Sequence, residues 1–146
     1  MTAKSYSLTY DGYWREPNIS SIPAQSGVYS VYACSYSVSS KKVNIRKLIY
    51  IGESRNVRDR INGHEKWPAW RRHLKAGEQI CINFAPIGVD RERVEAALIN
   101  HHKPPENTEY VNDFRYPQTT VATSGRNALL SARFTVYTSQ RRSAFG

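Results

Sequence analysis

Between Gly27 and Ser37, Val28, Val31, Ala33 and Cys34 interleave with Tyr29, Tyr32 and Tyr36. That alternation is the rhythm of a half-buried strand. Ser39-Ser40-Lys41-Lys42 interrupts it like a turn, and Val43 to Ile51 resumes it up to Gly52, so the two runs predict a hairpin. Ser54 offers an N-cap to a short helix carrying the i, i+4 pair Val57 and Ile61, with Gly63 at its end. Pro68 opens a second helix through Leu74, closed by Gly77. Ile80, Ile82, Phe84 and Ile87 mark a third strand. The clearest helix starts at Asp90: Val94, Ala97, Leu98 and His101 keep the helical period until Pro104-Pro105 stops it. Beyond Asn107 only Arg133 to Thr138 alternates again. This order predicts an α+β fold, a small central antiparallel β-sheet flanked by helices.

A chain of 146 residues has room for one domain with appendages. The boundaries expected are a polar N-terminal arm at 1–24, a core at 25–110, and a C-terminal extension at 111–146 packing on that core. The tail from Ser139 reads as loose.

Composition narrows the class. At 40% hydrophobic and 23% charged, wholesale disorder is excluded. Lys plus Arg number 21 against 12 Asp plus Glu, a net +9 that suits a polyanion, nucleic acid first. Cys34 and Cys81 stand in no metal-ligand or redox spacing and suit a reducing compartment. No apolar run approaches the roughly 20 residues of a membrane span, and Met1-Thr2-Ala3-Lys4 carries no cleavage signal. The expectation is a cytoplasmic protein without a membrane partner.

The charge is unevenly spread. Residues 25–52 hold four basic residues and no acid, and residues 53–75 hold seven basic against three acidic. Residues 76–110 reverse to net −3, with three basic and six acidic, and 111–146 return to +4. A carboxylate-rich segment between basic ones suits a protein that grips phosphates and places a metal ion among them.

The motifs point the same way. Gly27-Val28-Tyr29, followed by Tyr50-Ile51-Gly52-Glu53-Ser54, resembles the paired signature of the GIY-YIG nuclease superfamily. Arg60 lies eight residues after Gly52 and His64 four further on, where that family places a catalytic Arg and a frequent His. Glu95, in Val94-Glu95-Ala96-Ala97-Leu98-Ile99, resembles the family's metal-binding Glu, and Asn107 follows it by twelve residues. The likeness covers roughly residues 26–108. Val replaces Ile in the first motif. The longer gap between the motifs makes residues 33–47 an extended hairpin or loop, a place for added DNA or subunit contacts.

The resemblance implies a set of roles. Tyr29 is the general base for water, with Tyr50 beside it, Arg60 on the phosphate, and Glu95 holding Mg²⁺, for which Mn²⁺ can substitute. Gly52 and Asn107 support them. The chemistry agrees. Phosphodiester hydrolysis needs a base, a cation for developing charge, and a carboxylate for a hard metal that keeps most of its waters. A bare Glu95 would otherwise be a solvated helix residue paired with Arg91. Arg60 and His64, four apart, share a helix face, so Arg60 keeps His64 neutral and ready to accept the Tyr29 proton.

DNA contacts are expected from Arg55, Arg58, Trp70, Arg71, Arg72, Lys75 and Arg126, with Arg133, Arg141 and Arg142 as further phosphate ligands. His101-His102 is a weaker metal candidate, because adjacent residues diverge on a helix. The resulting expectation is a metal-dependent DNA endonuclease, most like small type II restriction enzymes, cutting both strands, for which a homo-oligomer is one route. A non-catalytic nucleic-acid-binding protein, or a repair or mobile-element nicking enzyme, is the alternative.

Overall fold

The computed structural model describes residues 2–140. In chain order the elements are β1 (Lys4–Arg15), a 3-10 helix (Glu16–Ser21), β2 (Gly27–Ser37), β3 (Lys42–Ser54), α1 (Val57–Ile61), α2 (Trp67–Arg71), β4 (Gln79–Pro86), α3 (Arg91–His102), β5 (Thr119–Gly125) and β6 (Arg133–Val136). The fold is α+β, and its six strands form one sheet ordered β3-β2-β4-β1-β5-β6.

Two expectations change here. The sheet is mixed rather than antiparallel, because β1 runs parallel to β5 from Lys4↔Thr119 to Tyr10↔Gly125. The expected N-terminal arm is also an integral strand, for β1 lies between β4 and β5 with Trp14 opposite Ile82. Its alternation of Tyr6, Leu8 and Tyr10 with Ser5, Ser7 and Thr9 suits a strand, and Leu8 and Tyr10 are each 2% exposed. The C-terminal extension likewise supplies β5 and β6 to the sheet.

The hairpin is long. β2 and β3 pair from Gly27↔Ser54 to Ser37↔Lys42, with a turn at 38–41 and bulges beside Tyr32 and Cys34. Residues 33–47 thus extend the ladder itself. Val28 and Tyr29, neighbours in β2, enter different clusters, as strand alternation requires. Val28 joins Ile51, Ala85 and Leu98 of α3; Tyr29 joins Ile61, Trp70 and Phe84.

The helices differ in detail from expectation. α1 is capped by Asn56, whose Oδ1 accepts from the Asp59 N–H at 3.1 Å, rather than by Ser54. It ends at Ile61, and α2 stops at Arg71, short of Leu74. Asp90 stands at the α3 N-cap, but its carboxylate accepts from the Tyr6 hydroxyl at 2.7 Å, tying the helix to β1. Behind the last turn, Lys103 takes a left-handed backbone (φ 50°) and Pro104 ends the helix.

Candidate functional site

The site forms where β2 and β3 pair near their Gly27–Ser54 end. Tyr29 is directly opposite Gly52. A Cβ on Gly52 would stand 2.3 Å from both Cζ and Oη of Tyr29, so the phenol lies across β3 at the one residue without a side chain. Its ring centroid is 6.4 Å from that of Tyr50. Tyr50 in turn is 5.6 Å from His64 and 5.3 Å from Trp70.

Asn107 completes the outer edge of β3. Its Oδ1 accepts from the Ile51 N–H and its Nδ2 donates to the Ile51 carbonyl, both at 2.9 Å. Glu106 N–H donates to the Ile49 carbonyl at 3.0 Å. Segment 106–107 therefore satisfies backbone groups that an edge strand leaves open. The supporting role expected of Asn107 thus has a definite form, a two-point clamp on the strand carrying Tyr50 and Gly52.

Beside this clamp lies a pocket of about 240 Å³ lined by Tyr50, Glu65, Lys66, Glu95, Ile99, Glu106, Asn107, Thr108 and Glu109. Glu95 is half-buried. Burial first, then the charges of Glu53, Glu109 and Glu92, push its carboxyl up to about 8. Arg91 does not relieve it, because its guanidinium is committed to Glu53 at 2.6 Å. Glu95 is a carboxylate short of positive charge.

Among the described residues, no group of three or more His, Cys, Asp or Glu side chains is arranged to hold a metal. A hard ion that keeps most of its water needs only one or two carboxylates. Glu95, with Glu53 and Glu109 close enough to perturb it, fits that requirement by donor chemistry and by its deficit of positive charge.

The tyrosines sense both charged partners. Burial, then Tyr50, holds the Tyr29 hydroxyl well above the usual phenol range, and Arg60 opposes that rise. Burial, then Glu95, pushes Tyr50 up to about 12, again against Arg60. Tyr29, Tyr50, Arg60 and Glu95 thus share one electrostatic neighbourhood. Arg60 is nonetheless engaged, its two terminal nitrogens each donating to a Glu65 oxygen at 2.8 Å.

His64 departs from expectation. It lies beyond α1, after Gly63 at φ +74°, so it shares no continuous helix face with Arg60. Burial first and Arg60 second push its pKa down to about 4, so the imidazole is neutral as expected. Its Nδ1, however, accepts from the Lys66 N–H at 3.0 Å, which leaves the ring proton on Nε2. Nε2 is buried without a partner. In this tautomer His64 has no free lone pair for the Tyr29 proton. It packs on Trp70 at 4.5 Å between centroids.

The expected DNA ligands divide. Trp70 is fully buried against Trp67, His64 and Tyr50, so it offers no stacking face to a base. Arg58 donates Nε to the Ile22 carbonyl at 2.6 Å, and Arg71 pairs with Glu16 over the Trp67 ring. Arg55, Arg72, Lys75, Arg126 and Arg133 are exposed. Arg141 and Arg142 lie outside the described residues. The His101-His102 pair is used internally: His102 bonds the Leu98 carbonyl through Nδ1 and the Ser131 N–H through Nε2.

The spacing argument missed Glu53, Glu65 and Glu109. Glu53 directly follows Gly52 in the second motif, and that adjacency was the available signal. The other two arrive by chain folding alone. Comparison with family models, curated proteins and solved structures gives no match. Among the described residues, no helix is long and apolar enough to cross a membrane.

Proposed function

We propose that the chain is a metal-dependent DNA endonuclease of the GIY-YIG type, hydrolysing phosphodiester bonds at the pocket beside Tyr50 and Glu95. The observation that carries this reading is the shared neighbourhood of two tyrosines, one arginine and one cation-starved glutamate. Packing alone requires none of the charges there.

Each side chain has a task in that reaction. Water attacks phosphorus, and the bond to the leaving oxygen breaks. Tyr29 takes the water's proton once its own hydroxyl has ionised, and Arg60 is the neighbour that favours ionisation. Arg60 is also the forked donor for a non-bridging phosphate oxygen, which requires it to leave Glu65. Glu95 would hold Mg²⁺, whose contribution when bound is to polarise the phosphate. Gly52 gives Tyr29 its path, and Asn107 fixes the backbone beneath it. His64 carries its ring proton on an unpartnered Nε2 and supports Tyr50 by packing.

Incubation of plasmid DNA with Mg²⁺, with EDTA, and with Glu95→Ala tests the reading. Discrete fragments only with Mg²⁺ and native Glu95 support restriction-like double-strand cleavage, which one active site achieves by dimerising or by two nicks. Nicked circles alone favour a nicking enzyme. A mobility shift without cleavage favours a nucleic-acid-binding protein that retains the site, the reading that the occupied fork of Arg60 suits best.

A further inference from the structure

A second pocket, of about 490 Å³, lies at the opposite end of the β2–β3 ladder from Tyr29. Its lining is Gly12, Tyr13, Lys41, Lys42, Val43 and Arg126, three cations and no carboxylate. Among the described residues none of those cations forms an ion pair, whereas Arg46, Arg60, Arg71, Arg91 and Arg115 each do.

Arg126 is held from beneath. Its N–H donates to the Tyr10 carbonyl at 2.9 Å. Its carbonyl accepts at 2.9 Å from Nδ2 of Asn83, a fully buried residue that also bonds the Tyr32 hydroxyl at 3.0 Å. Two residues on, the Tyr32 hydroxyl donates to the Ala128 carbonyl at 2.7 Å and the Ala128 N–H donates to the Tyr13 hydroxyl at 3.0 Å. An amide buried in a sheet is tolerated only when bonded; Asn83 also accepts from the Ser30 N–H at 2.8 Å through Oδ1, and one of its three bonds reaches out to the surface turn that carries Arg126. A mere connection between strands needs no such anchoring. An arginine held at a fixed height beside two lysines does.

We propose that this pocket is a phosphate site gripping the backbone of duplex DNA away from the cleavage pocket. Lys41 and Lys42 supply point charges and Arg126 a fork, the donor set that positions a duplex without reading its sequence. Ser37 lies eight residues along β2 from Tyr29, a separation of at most about 26 Å at ~3.3 Å per residue. That spans about eight base pairs. The inference rests on nucleic acid being the ligand, not on its being cut.

Fluorescence anisotropy in EDTA, where cutting is disabled, tests it with labelled duplexes of 5 base pairs, closed as a hairpin, and 24 base pairs over a range of salt. The triple variant Lys41→Gln, Lys42→Gln, Arg126→Gln is expected to bind the longer duplex at least tenfold more weakly. Three lost phosphate contacts should lower its salt slope by about 2.7. The 5-base-pair stem, about 17 Å long and too short to span both pockets, should lose far less. The charge-keeping variant Lys41→Arg, Lys42→Arg, Arg126→Lys should bind as the native chain does. Should the triple variant unfold, Lys42→Gln and Arg126→Gln singly should each lower the slope by about 0.9. Unchanged slope and affinity on the long duplex overturn the proposal, as do equal losses on both lengths. Loss of binding to phosphatidylserine vesicles with intact duplex binding also overturns it. A protein that never cuts plasmid but shows the expected losses keeps this site while losing its nuclease reading.

Discussion

The phenol of Tyr29 crosses Gly52 so closely that a Cβ there would stand 2.3 Å from its hydroxyl oxygen. The two residues are a single device, one giving the phenol and the other its clearance. Gly52→Ala must therefore displace the tyrosine or the strand. The expected cost is about 1–3 kcal/mol of stability from overpacking, with cleavage falling as far as in Tyr29→Phe. For a lost general base that is about 10²–10⁴-fold. Melting curves and plasmid kinetics on both variants check it. Native cleavage by Gly52→Ala would separate Tyr29 from the chemistry.

Glu65 restrains the guanidinium that opposes the rise of both tyrosine hydroxyls. The Arg60 side chain holds the Glu65 carboxyl down at about 2, so the pair stays ionised throughout the working range. Glu65→Gln frees Arg60 to act on Tyr29 and lowers the pH at which that hydroxyl ionises. A base works deprotonated, so cleavage by native protein should rise with pH, and in the variant the rise should begin earlier. The pH–rate profile reads this directly; a rise displaced to higher pH contradicts it. Arg60→Gln should lose most activity at every pH.

Buried neutral His64 should make the protein acid-labile. Its pKa falls from about 6.5 in the unfolded chain to about 4 in the folded protein. Between those values the unfolded chain binds more protons, so its stabilising contribution, complete above pH 6.5, is lost as pH falls towards 4. The loss approaches about 3 kcal/mol at most. Urea titrations at pH 7, 5.5 and 4 should show a smaller fall in His64→Phe than in the native chain. Parallel curves would refute the assignment.

Asn107 acts as one residue of a missing neighbouring strand. Asn107→Leu removes both bonds to Ile51 and should cost about 1–3 kcal/mol. The local signature is faster hydrogen exchange at the Ile51 amide than at Ser30 or Asn83, deeper in the sheet. Asn107→Asp keeps the acceptor and should protect that amide better than Asn107→Leu.

The strands and the long helix were legible where the pattern was local. β2, β3, β4 and α3 each carry their own periodicity, and they arise close to where it predicts. β1 has the same alternation, but Ser, Thr and Tyr around a single Leu read as polar without knowledge of the partner that buries them. That partner, β5, lies more than a hundred residues away, and its Thr-Thr-Val-Ala-Thr-Ser-Gly has little apolar signal. Trp70 shows how one spacing serves two readings. Aromatics between basics suggest a stacking surface, yet Trp67 and Trp70 at i, i+3 share a helix face, and that face is the core. The tyrosines, Arg60 and Glu95 could be singled out because fixed spacing marks them, and the chain brings them into one neighbourhood. The tautomer of His64 was not, since it depends on a backbone N–H two residues on.

The place of β1 in the sheet has a practical consequence for anyone who would trim this chain. A fragment holding every motif residue, 25–110, looks like a minimal unit, yet it lacks the strand joining β4 to β5. Its β4, buried from Ile80 to Ala85, would present one bare hydrogen-bonding edge to its neighbours. Such a fragment is a building block for aggregates, whatever its pocket binds. The candidate site residues depend for their solubility on a strand that contributes none of them.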